Sequence, residues 1–471
     1  MTQNLFGSIY IRRGIKLEKQ NKFVKDMTKG NPMQLLIQFS LPLLVGNIFQ
    51  QLYNMVDSII VGNFVGANAL GAIGTTNSLN FFFFSLVAGL SVGIGIIVAQ
   101  YFGFGDEEKV KDAIGNSIWI ITVCSVIMAI IGFVTARPIL VLLDTDPVIL
   151  NDAVAYLKVV SIGIVCVGFY NGVSGILRAL GDSKTPLIFL IVASVLNVIL
   201  DLIFVLSFGW GVVGAGVATA FSQLISALAC IIYAYKSNTY FKLKKKNIKL
   251  NGSIIKKSCK LGIPVALQNS LIAFSLIVLQ KVVNGYGATF TTAFTVVSRI
   301  ETLVQQPFMS LGAAVSTYTG QNIGAGLKDR VRKGFNSATL VSSIFALAVG
   351  VVFWIFAPSI ASIFGKDADV IRIGANGLRI TCCFYIFLGL IYTTRNVLNG
   401  AGDAMFSLFT GIVECIGRVG FAYPMTLIPF MGKYGVFYAT GLTWFLNGMF
   451  SLIRYKRGKW KKIDVISKVK G

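Results

Sequence analysis

Long apolar runs recur along the whole chain, each about 20 to 30 residues and each cut from the next by a short cluster of Gly, Pro, Asp or Lys. A helix needs about 20 apolar residues to cross a bilayer, and inside the bilayer it must satisfy its own backbone polar groups. Twelve such runs leave one solution, a polytopic bundle. They fall at roughly 33–62, 68–101, 113–135, 151–178, 186–207, 212–235, 260–283, 288–320, 335–357, 371–398, 404–429 and 434–454. The second and eighth are long enough to be kinked or tilted. Only 13% of the residues are charged, against about 25% in soluble domains. The expected fold class is an all-α polytopic membrane protein with 12 transmembrane helices.

A formal charge of +23 would by itself suggest a nucleic-acid partner. Its distribution argues against one. If the chain starts inside, twelve crossings put most Lys and Arg on one side: Arg12, Arg13, Lys16 and Lys19, then Lys242 to Lys249, Lys328 to Lys333, and Arg454 to Lys470. The opposite loops hold little beyond Arg137, Lys366 and Lys433. This bias predicts both termini in the cytoplasm, with basic patches against anionic lipid headgroups; the membrane expected is the bacterial plasma membrane. The head is polar and shows no cleavable signal peptide.

Several chemistries drop out. There is no histidine, so His-based zinc sites and triads are absent and proton chemistry falls to carboxylates. The seven cysteines are scattered through or beside apolar runs without a Cys-x-x-Cys pair, and read as small hydrophobes. "GWGVVG", Gly209 to Gly214, has the letters of a dinucleotide fingerprint. It lacks the acid expected about 20 residues on and lies in a loop, so it reads as a helix entry. No nucleophile–base set, metal cluster or P-loop is visible. The chain is expected to be no enzyme and to need no cofactor beyond a coupling ion.

The sequence also matches itself at an offset of about 221 residues. "LPLLVGNIFQ" at 41 aligns with "IPVALQNSLI" at 263, "AQYFGFGDEEKVK" at 99 with "GQNIGAGLKDRVR" at 320, and "RALGD" at 178 with "NGAGD" at 399. Each half has six helices, an even number, so both enter the membrane in the same direction. Such parallel repeats typify secondary transporters. The expected organisation is a basic cytoplasmic tail (1–32), a six-helix lobe (33–235), a basic linker (236–259), a second six-helix lobe (260–454) and a basic tail (455–471).

Polar residues inside the apolar runs mark the candidate site. Asn47, Gln50, Asn54 and Asp57 are spaced +3, +4, +3 and form one stripe, with Pro42 upstream as a point of bending. Polar stripes in the bilayer face protein or water. Asn197 and Asp201 share a face at i, i+4, and Thr219 follows in the next helix. With Asp57 these are oxygen donors suited to Na⁺ or to a proton shared between carboxylates; a buried structural network is the alternative. In the second half, Glu301 and Gln305 share a face and suggest a cavity lining. Arg299 is a candidate counterion for Glu301, although i, i+2 spacing opposes contact. Glu414 and Arg418, at i, i+4, read as a self-neutralising pair. "FFFF", Phe81 to Phe84, reads as lipid contact and packing, with aromatic substrate contact as the alternative.

Taken together, the Pro42 to Asp57 spacing, "PFMSLGAAVSTYTGQNIGAG" at 307–326 and its first-half partner "AQYFGFGD" resemble the multidrug and toxic compound extrusion (MATE) transporters over about 33 to 454. That resemblance implies two six-helix bundles and export of organic, often cationic and aromatic, compounds by antiport with H⁺ or Na⁺. It implies a cation site at Asp57, Asn197, Asp201 and Thr219 and bending of the first helix at Pro42. The polar faces add an expected substrate cavity shaped by Gln50, Tyr53 and Asn54 together with Glu301 and Gln305. One branch carries further acids where this chain has Ile272 and about Leu388, so a carboxy-terminal Na⁺ site of that kind is not expected. The remaining partners expected are a small organic molecule and membrane lipid, with the protein acting as a monomer. A lipid-linked saccharide flippase of the wider superfamily is the alternative; a channel or a purely structural membrane protein ranks behind it.

Overall fold

A computed structural model describes residues 24–463 together with 465 and 466. The basic residues Arg12, Arg13, Lys16 and Lys19 of the head, and Lys468 and Lys470 of the tail, lie outside the described residues.

Among the described residues thirteen α-helices follow one another: α1 (Pro32–Phe64), α2 (Ala67–Phe104), α3 (Glu107–Leu142), α4 (Pro147–Ala179), α5 (Lys184–Asp201), α6 (Gly211–Ser237), α7 (Gly252–Asn284), α8 (Ala288–Gly324), α9 (Lys328–Ser362), α10 (Ala368–Cys382), α11 (Tyr385–Gly400), α12 (Met405–Ala422) and α13 (Gly435–Lys456). Ten are long and apolar enough to cross a membrane, and α10 with α11 makes an eleventh span bent by 51°. At 37 residues α8 has the length but falls short in hydropathy, because Thr, Gln, Arg299 and Glu301 interrupt it. Counting α8 and the broken pair gives the twelve crossings of an all-helical, multi-pass membrane protein.

One expectation meets an exception. The second and eighth runs form uninterrupted helices of 38 and 37 residues. The tenth run, which carries no proline or central glycine, is the one that breaks. Before the break, the Cys382 and Cys383 thiols both donate to the Arg379 carbonyl and Thr381 Oγ1 donates to the Leu378 carbonyl. Side chains that compete for the helix ladder in this way bend helices.

The helices group into two units. One holds residues 49–259 and 320–326 with the described head up to Gly30; the other holds 31–48, 260–319 and 327 onward. Helix α1 is therefore shared, its first turns grouped with the second unit and its Asp57 end with the first.

In the first unit α4 is the central helix, packed against α2, α3 and α6. Its small residues allow the approach. A Cβ at Gly172 would lie 2.0 Å from the Ile121 side chain, and one at Gly163 would lie 2.9 Å from Ala220 Cβ. The ends of α2 and α8 cross backbone to backbone in a matching pair. A Cβ at Gly103 would stand 1.9 Å from the Gln321 carbonyl oxygen, and one at Gly324 would stand 2.0 Å from that of Gln100. These are the glutamines and glycines that the internal repeat aligns. The segment before α1 closes over this crossing: the Met27 amide donates to Gln321 Oε1 at 2.8 Å, and Asn322 Nδ2 donates to the Met27 carbonyl at 3.2 Å. The second unit has one continuous core, built on Phe290, Phe308, Leu378, Tyr385, Phe437 and Trp444.

Candidate functional site

Asp57 enters the first unit from α1, and Asn197 and Asp201 from α5. Asp201 is the last residue of α5, and the chain continues as a π-helical turn over Leu202–Ser207. Such turns widen the helix locally and frequent functional sites. The carboxyl groups of Asp57 and Asp201 lie within hydrogen-bonding reach of each other. Asn197 Nδ2 donates to Thr219 Oγ1 at 3.4 Å. The four residues expected to share a site are thus brought together.

Their surroundings are apolar. Asp201 is 0% exposed. Ile60, Val61, Ile73, Val205 and Val212 form a hydrophobic cluster in the same region, with Val56 and Val198 packed against it. Within it, Asp57 Oδ1, both Asp201 oxygens and Asn197 Oδ1 are buried and have no hydrogen-bond donor among the described residues. Two carboxylates side by side in such a sleeve repel each other, and a proton or a small cation between them relieves the repulsion. The four oxygens make an acceptor-only cradle, the donor set that hard cations and protons take.

Two tyrosines complete the surroundings. Tyr53, one turn before Asp57, lies close to Gln50 and to both carboxylates. Tyr156 of α4 also feels both acids and belongs to the hydrophobic cluster. Sequence reasoning missed Tyr156, because a lone tyrosine in an apolar helix carries no spacing signal. The α1 stripe divides: Asn47 Nδ2 donates to Ser310 Oγ of α8 at 3.1 Å, while Asn54 is exposed.

Glu301 and Gln305 lie in the second unit and line a cavity of about 120 Å³ with Thr381, Tyr392, Arg395 and Arg418. The Tyr392 hydroxyl donates to Gln305 Oε1 at 3.1 Å. Glu301 Oε1 is buried without a donor among the described residues. Glu301 shares its cavity with Arg395 and Arg418, not with Arg299, which corrects the counterion expectation. Side chains at i and i+2 point to different faces, and Arg299 lines a separate pocket. Arg418 Nη2 and Glu414 Oε1 form the expected pair at 2.9 Å, at 4% and 7% exposure. Asn447 Nδ2 donates to the other Glu414 oxygen at 3.1 Å, and Arg418 Nη1 donates to Ser275 Oγ at 2.6 Å. Ile272 and Leu388 line this cavity with their apolar side chains. Of the phenylalanine run, Phe83 is core while Phe81 and Phe82 are exposed.

Comparison with known proteins agrees with the internal repeat. The MatE family profile matches the chain twice, over residues 42–203 and 264–423. The probable multidrug resistance protein YpnP of Bacillus subtilis (strain 168) is 30% identical over 445 residues, 94% of this chain and 99% of that protein. The multidrug export protein MepA of Staphylococcus aureus (strain MW2) is 25% identical over 395 residues, 83% of each chain. Among solved structures, a MOP superfamily transporter from Pyrococcus furiosus superposes with a TM-score of 0.88 at 24% identity, covering 94% of this chain and all of that one, a likeness of fold. The paired profile match and the end-to-end relative establish that the chain belongs to the MatE family, the multidrug and toxic compound extrusion transporters.

Proposed function

We propose that this protein exports organic compounds by antiport with H⁺ or Na⁺, with Asp57, Asn197, Asp201 and Thr219 as the coupling site. The observation that carries the reading is the meeting of Asp57 and Asp201 beside an apolar cluster, with Asp57 Oδ1 and both Asp201 oxygens buried and without a donor among the described residues. An entering cation cancels their charge, and its loss restores it. An ion moves a conformational equilibrium only through different affinity for the two states. Two carboxylates free to approach or separate supply that difference. Gln50, Tyr53 and Asn54 shape the substrate cavity on the first unit, Glu301 and Gln305 on the second, and Pro42 is the bending point of α1. The protein works as a monomer in the plasma membrane with both termini in the cytoplasm. The names of the relatives, multidrug resistance and multidrug export, support this cargo over a lipid-linked saccharide.

The test is export of a fluorescent cationic dye by inverted vesicles under an imposed H⁺ or Na⁺ gradient, comparing wild type with Asp57→Asn. The expected result is gradient-dependent dye movement that the variant loses while still inserting, the effective gradient naming the ion. Full transport by Asp57→Asn would sink the model. No dye movement under either gradient would turn the test to lipid substrates.

A further inference from the structure

Arg299 is a cation for which the coupling site has no use. Among the described residues it has no ion pair or hydrogen bond, and its side chain is exposed. It lines a pocket of about 260 Å³ with Thr291, Thr292, Thr295, Val296 and Phe364, all within the second unit. From this we infer that the pocket is a specificity site, where Arg299 recognises the carboxylate of amphipathic aromatic substrates. The inference rests on the export reading and narrows its cargo to include zwitterions.

The exposed face of α8 separates this from a lipid-facing arginine. That face runs Thr292, Thr295, Arg299, Thr302, spaced +3, +4, +3, with Leu303 exposed beside its end. Helix α9 provides the internal contrast, since its exposed face is Leu340, Ile344, Leu347, Val351 and Ile355, the composition that lipid requires. A stripe of three threonines and an arginine belongs against water or a polar ligand. Packing does not demand the cation either. In the internal repeat, Gly66 and Gly287 precede α2 and α8 in register, and the partner of Arg299 is Ser78.

The donor inventory selects an anion. The hydroxyls of Thr291, Thr292 and Thr295 already donate to the carbonyls four residues back, at 3.0, 3.0 and 2.9 Å. Arg299 is left as the pocket's source of free N–H donors, in the planar fork that matches a carboxylate bidentately. Its side chain leans toward the Ala288 end of the helix, as helical side chains do, and so toward the threonines. Phe364 supplies an aromatic wall at the same pocket. A carboxylate joined to an aromatic body satisfies both.

The experiment uses the purified full chain in detergent and two probes of one skeleton, a rhodamine with a free benzoate and its methyl ester. Binding is read by fluorescence polarisation for wild type, Arg299→Gln and Arg299→Lys, each checked for folding by size exclusion and circular dichroism. Wild type is expected to bind the acid roughly tenfold tighter than the ester, the worth of one charge-assisted contact. Arg299→Gln abolishes that preference, and Arg299→Lys keeps part of it, having charge without the fork. A wild type with no preference overturns the inference without recourse to any variant. So does an Arg299→Gln protein that keeps the preference, or that loses both probes equally. A phosphatidylglycerol molecule that co-purifies with wild type, is lost in Arg299→Gln, and competes with the benzoate assigns the arginine to lipid phosphate and also overturns it. Gradient-driven export of ethidium by wild-type vesicles tests the export reading separately, because ethidium offers Arg299 no anion.

Discussion

At the scale of single residues, the two lobes treat buried charge in opposite ways. Asp57 Oδ1 and both Asp201 oxygens have no donor among the described residues, whereas Glu414 and Arg418 are bonded to each other and to Asn447 and Ser275. A buried pair contributes little net stability, but removing one partner strands the other and costs about 3–5 kcal/mol. Arg418→Met should therefore lower the melting temperature of the purified protein sharply, and Glu414→Gln combined with Arg418→Met should recover most of the loss. If the single variant melts like wild type, the pair is not the structural clamp described. Much of this was legible beforehand. Helical spacing joined Asn197 to Asp201 and Glu414 to Arg418, and the repeat aligned Gln100 with Gln321, though not the crossing in which each meets a glycine. Tyr156 was not legible, because nothing along a helix says which neighbouring helix will bring an acid to it. The role of Arg418 beside Glu301 was hidden for the same reason, being set by packing across helices.

At the scale of elements, the basic linker is a docked piece of the first unit. Asn247 Nδ2 donates to Asp112 Oδ1 at 2.7 Å, Lys246 pairs with Glu108 at 2.9 Å, and Trp119 Nε1 donates to the Ile248 carbonyl at 2.8 Å. A Cβ at Gly115 would lie 2.1 Å from the Asn247 carbonyl oxygen, so the linker backbone runs directly on α3. The acidic start of α3, "DEEKVKD", is the complement of the lysine-rich linker. Composition revealed the lysines but not the docking, since charge runs in sequence look alike whether solvated or seated. Asn247 also caps its own turn through Oδ1, accepting from the Lys244 amide at 3.0 Å. Asn247→Ala removes these bonds together, at about 1–3 kcal/mol for the carboxylate left without its donor. Local opening should rise in proportion, and trypsin should cut at Lys245 and Lys246 roughly tenfold faster where cleavage follows the open population. Unchanged cleavage would mean the linker is held elsewhere. The break between α10 and α11 makes a related point: it falls beside thiols and a threonine hydroxyl that bond back to the preceding turn, in a run that hydropathy reads as continuous.

At the scale of the whole molecule, α1 is one of three helices, with α7 and α8, whose residues divide between the two units, and Pro42 and Asp57 lie on its two parts. They are fifteen residues apart, about 22 Å along a helix. Proline removes one backbone donor and crowds the carbonyl a turn earlier, which costs a helix about 3 kcal/mol relative to alanine. A continuous helix that carries this defect is one that can deform there at little further cost. If charge cancellation at Asp57 reaches the rest of the molecule through α1, restoring the missing bond stiffens the transmitting element. Pro42→Ala should then hold or raise the melting temperature and leave dye binding to the purified protein within about twofold. Gradient-driven export should fall by roughly tenfold or more, a factor that needs only about 1.4 kcal/mol of the helix gain to oppose the transition. The three readouts must be taken on one preparation, because a loss of export with a loss of binding would indicate a damaged cavity instead. Export at the wild-type rate, with stability raised, would show that α1 carries the signal without bending at Pro42, and would place the coupling in the movement of α5 and its π-helical turn at Asp201.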